Sequence, residues 1–187
     1  MRRISFILIS ALLSLSAVAQ TTFSVDQVYT SWTTMSIPTT KQGGIMQLVE
    51  AFNKAWPTYS VTEFLKDAKR PAAQQQWIIT VDRPNGFVSF AEGSDDIDSE
   101  SMQACVWKRN DGHRLFAVAL MQHSSKVKAF IAFYDYDPAT GVLRPQQALA
   151  TLFTPNHPSG YISITLPQHG KDMSVSEYYI NAGMGIK

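Results

Sequence analysis

Lys128-Ala129-Phe130-Ile131-Ala132-Phe133-Tyr134-Asp135-Tyr136 is the stretch whose reading decides the fold. Successive side chains of a strand point to opposite faces. Ala129, Ile131 and Phe133 therefore point one way, and Phe130, Ala132 and Tyr134 the other. Both sets are apolar. A strand buried on both sides belongs inside a covered sheet, with helices on at least one face.

The neighbouring segments supply the rest of that sheet. This strand starts near Val127, turns at Asp137-Pro138-Ala139-Thr140-Gly141 and returns through Val142-Leu143. Upstream, Ala104 to Lys108 reads as a strand, Asn110-Asp111-Gly112 as a turn and Leu115 to Met121 as the return. Further upstream, Trp77 to Val81 turns at Arg83-Pro84-Asn85-Gly86 and returns as Phe87 to Phe90. Asn85-Gly86 is expected to supply the positive backbone angles of a tight hairpin. Three hairpins in succession predict an antiparallel meander. A β-propeller is excluded, because blades of roughly 40 residues, at least four of them, would not leave room for the helical N-terminal part.

That part carries helical periods. Val25, Val28, Tyr29, Trp32 and Met35 share one face, with Ser24 and Gln27 as a capping box and Pro38 as the stop. Ile45, Leu48, Val49, Phe52 and Trp56 form a second stripe between Gly43-Gly44 and Pro57. Ser60-Val61-Thr62-Glu63 reads as a capping box for a third helix, with Phe64, Leu65 and Ala68 inward and Pro71 closing it. Past the meander, Pro145 starts a short helix with Leu149, Leu152 and Phe153 inward, and residues 154–160 are a loop. Tyr161 to Leu166 is a half-exposed strand, and Val175 to Ile180 a last one. The expected fold is α+β, with N-terminal helices packed on an antiparallel β-meander of about six to eight strands.

Residues 1–19 read as a secretory leader, and residues 20–187 as a single α+β domain. Arg2-Arg3 gives the positive start, an apolar run extends from Ile4 to Val18, and Ala17-Val18-Ala19 is the small-x-small cleavage pattern. The run is too short for a membrane span. Loss of the two arginines brings a formal charge of +1 close to neutrality, without the basic excess of a nucleic-acid binder. Cys105 is the only cysteine, which excludes an internal disulfide, and its apolar flanks predict a buried core thiol. The general form resembles small exported proteins of Gram-negative bacteria, and no residue role follows from that likeness.

The candidate chemistry is sparse. His113 and His123 bracket one strand, and His157 and His169 another. At about 3.3 Å per residue each pair stands roughly 20 Å or more apart, too far for ligands that must each lie about 2 Å from one zinc ion. Asp95, Asp96, Asp98 and Glu100 are weak calcium candidates. An EF-hand fails, because Ser101 stands where the loop needs glycine and Trp107 where it needs glutamate. A solvated loop between hairpins accounts for the acids as well. Asp111, His113, His157 and Ser159 are the candidate catalytic residues of a hydrolase assembled from separate loops, although turn chemistry already explains Asp111. Trp107, Arg109 and Asn156 are the candidate ligand-binding residues, carried on loops held by a rigid sheet.

The leading expectation is an exported, periplasmic or secreted, non-enzymatic binding module. It needs no cofactor, and its partner is an envelope protein, a peptide or a glycan rather than a nucleic acid. A hydrolase and a structural envelope component, dimerising through a strand edge, are the alternatives. Expressed in a Gram-negative host, the full chain is expected in the periplasmic fraction with Gln20 as its first residue. N-terminal sequencing checks this, and an unprocessed chain in the cytoplasm would overturn it.

Overall fold

The computed structural model describes residues 34–38, 43–92, 99–122, 128–150 and 160–179. Its strands are β1 (Met35–Ser36), β2 (Trp77–Asp82), β3 (Phe87–Glu92), β4 (Glu100–Lys108), β5 (Arg114–Gln122), β6 (Lys128–Asp137) and β7 (Val142–Pro145), joined in one seven-stranded sheet. Their order is β1-β7-β6-β5-β4-β3-β2. From β2 to β7 each strand pairs antiparallel with the next, so the expected meander is present and the fold is α+β.

Helices α1 (Ile45–Ala55) and α2 (Tyr59–Asp67) cover one face. Ile45, Leu48, Val49 and Phe52 of α1 and Val61, Phe64 and Leu65 of α2 are buried against Val88, Phe90, Met102, Phe116, Val118, Phe130 and Tyr134. Phe64 stacks on Phe90 with ring centroids 4.6 Å apart and 16° between planes. Burying such a ring contributes about 1.5–3 kcal/mol relative to exposure.

The second face is covered by strands rather than left open. β8 (Gly160–Thr165) and β9 (Ser174–Tyr179) form a separate two-stranded sheet, not an extension of the meander. Ile162, Ile164 and Leu166 are buried with Phe87, Cys105, Ala117, Ile131 and Phe133. An apolar face with period two has to be buried somewhere, and the second apolar face of β5 and β6 is the matching surface. The Leu166 N–H donates to Gln103 Oε1 at 2.7 Å, tying this cover to β4. Short helix α3 (Gln147–Ala150) lies where the sequence suggested, with Leu149 half-buried in this core. Leu152 and Phe153 lie outside the described residues.

Three local expectations are corrected. Met35 does not lie on a helix: Met35–Ser36 pairs with Leu143 and Val142, and the Ile37 N–H donates to Gly141 O at 2.8 Å. Met35 and Ile37 are buried and Ser36 exposed, a period of two, because the β7 edge offers backbone partners that outweigh local preference. The rest of that expected helix, 24–33, lies outside the described residues. The cap of α2 is Thr58, whose Oγ1 accepts from the Val61 N–H at 3.2 Å. Ser60 lies inside the helix, and its hydroxyl donates to Glu100. In the β2–β3 turn only Gly86 has positive φ, at 65°, with its N–H donating to Arg83 O at 3.2 Å. Pro84 cannot adopt positive φ, so the chain turns first and lets Gly86 make the left-handed exit.

Asp67 joins the helices to the edge of the sheet. It is 3% exposed, and its carboxylate accepts from the backbone N–H groups of Gln76 and Trp77 at 2.8 and 3.0 Å and from Arg70 at 3.0 Å. Asp67→Ala strands those donors and is expected to cost about 3 kcal/mol, with Asp67→Asn intermediate. Urea unfolding measures this, and a loss under about 0.5 kcal/mol would remove the clasp from the account.

Candidate functional site

Three turns gather at one end of the sheet: Arg83 to Gly86, Arg109 to His113 and Pro138 to Gly141. The α1 N-terminus at Gly43-Gly44 reaches the same end, where the Arg114 Nη1 donates to Gly43 O at 3.2 Å. Each turn is fixed by an acid. Asp82 accepts from Asn85, Asp111 from the His113 N–H at 3.0 Å, and Asp137 from the Ala139 N–H and the Thr140 hydroxyl. The hydrogen bond from Asn85 holds Asp82 below the usual carboxylate range, and that from Thr140 does the same for Asp137.

Asp111 thus serves the turn and does not meet the imidazole. The partner of His113 is Asp135, on β6: Nδ1 lies 2.8 Å from Asp135 Oδ2. Arg109 Nη1 donates to the other oxygen of the same carboxylate at 2.9 Å. Register brings them together, since β5 and β6 pair Leu115 with Asp135. The Asp135 side chain is 14% exposed, and the Arg109 guanidinium and the His113 ring share it. Its hydrogen bond raises the His113 pKa above the ordinary 6.5, against a smaller lowering by burial. Asp135 did not figure among the sequence candidates. Its signal was an acid interrupting an apolar strand, Phe133-Tyr134-Asp135-Tyr136.

The other sequence candidates scatter. Trp107 is half-buried beside Leu115 in the second core. His157, Ser159 and Asn156 lie outside the described residues, as do Asp95, Asp96 and Asp98. Glu100 opens β4, and its carboxylate accepts from Ser60 and, at 3.2 Å, from Gln122 Nε2. Among the described residues no group of three or more His, Cys, Asp or Glu side chains is placed to hold a metal ion. Cys105 is 3% exposed, as expected of a core thiol, and burial pushes its pKa up.

Strand alternation separates this end into two sides. Leu115 and Asp135 face the β8–β9 cover, while Tyr136 on β6 and Phe116 on β5 face the helices. On the helix side a cleft of about 1010 Å³ opens between the start of α1 and the turns, lined by Gly43, Gly44, Arg83, Arg114 and Tyr136 among others. The sequence reading missed it. Its only trace there was Gly43-Gly44 ahead of an amphipathic stripe, which lacked phosphate-loop spacing. No family model, curated protein or solved structure matches the chain.

In a histidine NMR titration, His113 is expected to show a midpoint above 6.5 that falls when Asp135 becomes Asn. A raised folded pKa stabilises fully below the unfolded value and fades as pH climbs through the folded one. His113→Gln should therefore lower Tm more at about pH 5 than at about pH 9. Equal losses at both would overturn the pairing.

Proposed function

We propose that the chain is an exported ligand-binding module whose site is the cleft at the three-turn end of the sheet. One observation carries this reading: a cleft of about 1010 Å³, comparable with the ~300–1,000 Å³ of small-molecule sites, is built on helix and strand ends already held by the core. Rigid support of this kind lowers the ordering cost of binding. Export rests on the leader-like residues 1–19. Among the described residues no helix is long and apolar enough to cross a membrane.

A hydrolase is the second reading, and the 2.8 Å contact of His113 with Asp135 is what favours it. A carboxylate on Nδ1 orients an imidazole for proton transfer at Nε2. Arg109 neutralises that same carboxylate, and the cleft lies on the other side of the sheet, which together favour binding.

Purification of the full chain from periplasm, followed by native mass spectrometry, should show a co-purifying small molecule. Gln47→Trp, which fills the cleft from the first turn of α1, should abolish it while circular dichroism stays unchanged. No adduct, or an equal adduct on Gln47→Trp, would overturn the cleft as the site. Ester or amide hydrolysis lost in His113→Ala would move the function to the second reading.

A further inference from the structure

The structure assigns the cleft a ligand class: we infer that it holds an oxyanion, the carboxylate or phosphoryl group of a small molecule, between Arg83, Arg114, the Tyr136 hydroxyl and the first amides of α1. This rests on the cleft being the binding site and names what that site selects.

The positive end of the α1 dipole is the first part. α1 is an 11-residue helix whose N-cap, Gly44, supplies no side-chain cap, and its first turn carries no acid. Its first intrahelical bond is the Leu48 N–H to Gly44 O, at 3.2 Å. The N–H groups of Ile45, Met46 and Gln47 therefore come before the ladder begins, at the positive end of the helix dipole. Such an end attracts anions.

Tyr136 is the second and independent part. Its side chain is 2% exposed, yet no described residue partners its hydroxyl, and it lines the cleft. The hydroxyl points to the α1 entrance, since a Cβ on Gly43 would collide with it. The ring is held in the core while the hydroxyl itself opens into the cleft, where it can donate to whatever enters. It lies against Gly43, and Ile45, Met46 and Gln47 of the helix start line the same cleft. Gly43 is required for this close approach.

The arginines complete the site. Arg70 and Arg109 are engaged by Asp67 and Asp135, whereas Arg83 and Arg114 have no carboxylate partner among the described residues. Arg114 spends one N–H on Gly43 O, which fixes its guanidinium beside the entrance. Among the described residues Glu50 is the one carboxylate lining the cleft, and it stands 3.9 Å from Lys69. Two guanidinium groups, an uncapped helix start and a phenol donor suit a planar or tetrahedral oxyanion, which accepts from several donors at once.

The test titrates isotope-labelled full chain with inorganic phosphate and, separately, with acetate at low ionic strength, using chloride as control. Saturable amide shifts are expected at Ile45, Met46 and Gln47 with one or both probes, and the stronger probe separates phosphoryl from carboxylate recognition. Arg114→Gln and Arg83→Gln should each weaken binding about tenfold, as loss of a charge-assisted hydrogen bond does. Tyr136→Phe should weaken it about threefold, while leaving Tm unchanged because no described residue partners the hydroxyl. Should an arginine variant fail to fold, Tyr136→Phe alone decides. Shifts that do not saturate, that chloride reproduces, or that persist unchanged in the variants would overturn the inference. A neutral adduct found by native mass spectrometry and lost in Gln47→Trp, together with no response to either anion, would leave the cleft as the site and refute the oxyanion alone. Absence of both would refute the two together.

Discussion

The constraint on which everything else depends is that β5 and β6 are apolar on both faces. Phe116, Val118, Phe130 and Tyr134 need one cover, and Ala117, Ile131 and Phe133 need another. A single layer of helices would leave the second set in water, at a cost that scales with apolar area. The chain meets this demand with two dissimilar covers, an α1–α2 pair on one side and the β8–β9 pair on the other. The meander in between is therefore an inner layer, and its ends carry the accessible chemistry.

That layering explains why the polar groups at the turn end part company. Residues next to one another on β6, Asp135 and Tyr136, project to opposite sides. Asp135 collects Arg109 and His113 toward the β8–β9 side. Tyr136, with Arg114 and the start of α1, frames the cleft on the helix side. One carboxylate engages Arg109 and His113 on the first side, while on the second no described carboxylate pairs with either guanidinium group. The charge asymmetry between the sides follows from a single step along a strand.

Much of this was legible beforehand, and the part that was not shares a cause. The hairpins, the stripe of α1 and the inward Phe64 and Leu65 depend on periods within one segment, so sequence spacing reveals them. Thr58 replaced Ser60 as the cap because Ser60 found Glu100, a partner distant in sequence. Met35–Ser36 became a strand because the edge of β7 was open to it. His113 was singled out, but with Asp111 as its neighbour, since Asp135 becomes adjacent only through the register of β5 and β6.

From its own order of residues this chain determined where the meander strands, α1 and α2 run, that the sheet is a meander, that β6 lies inside, and that Cys105 is a core thiol. Those properties arise from local periodicity, turn residues and apolar content. Tertiary structure alone decided which element covers each face, which carboxylate His113 meets, and that Arg83, Arg114 and Tyr136 border one cleft. Such outcomes depend on strand register and on the seating of α1 against the sheet, where a shift of one residue would turn every side chain to the opposite face.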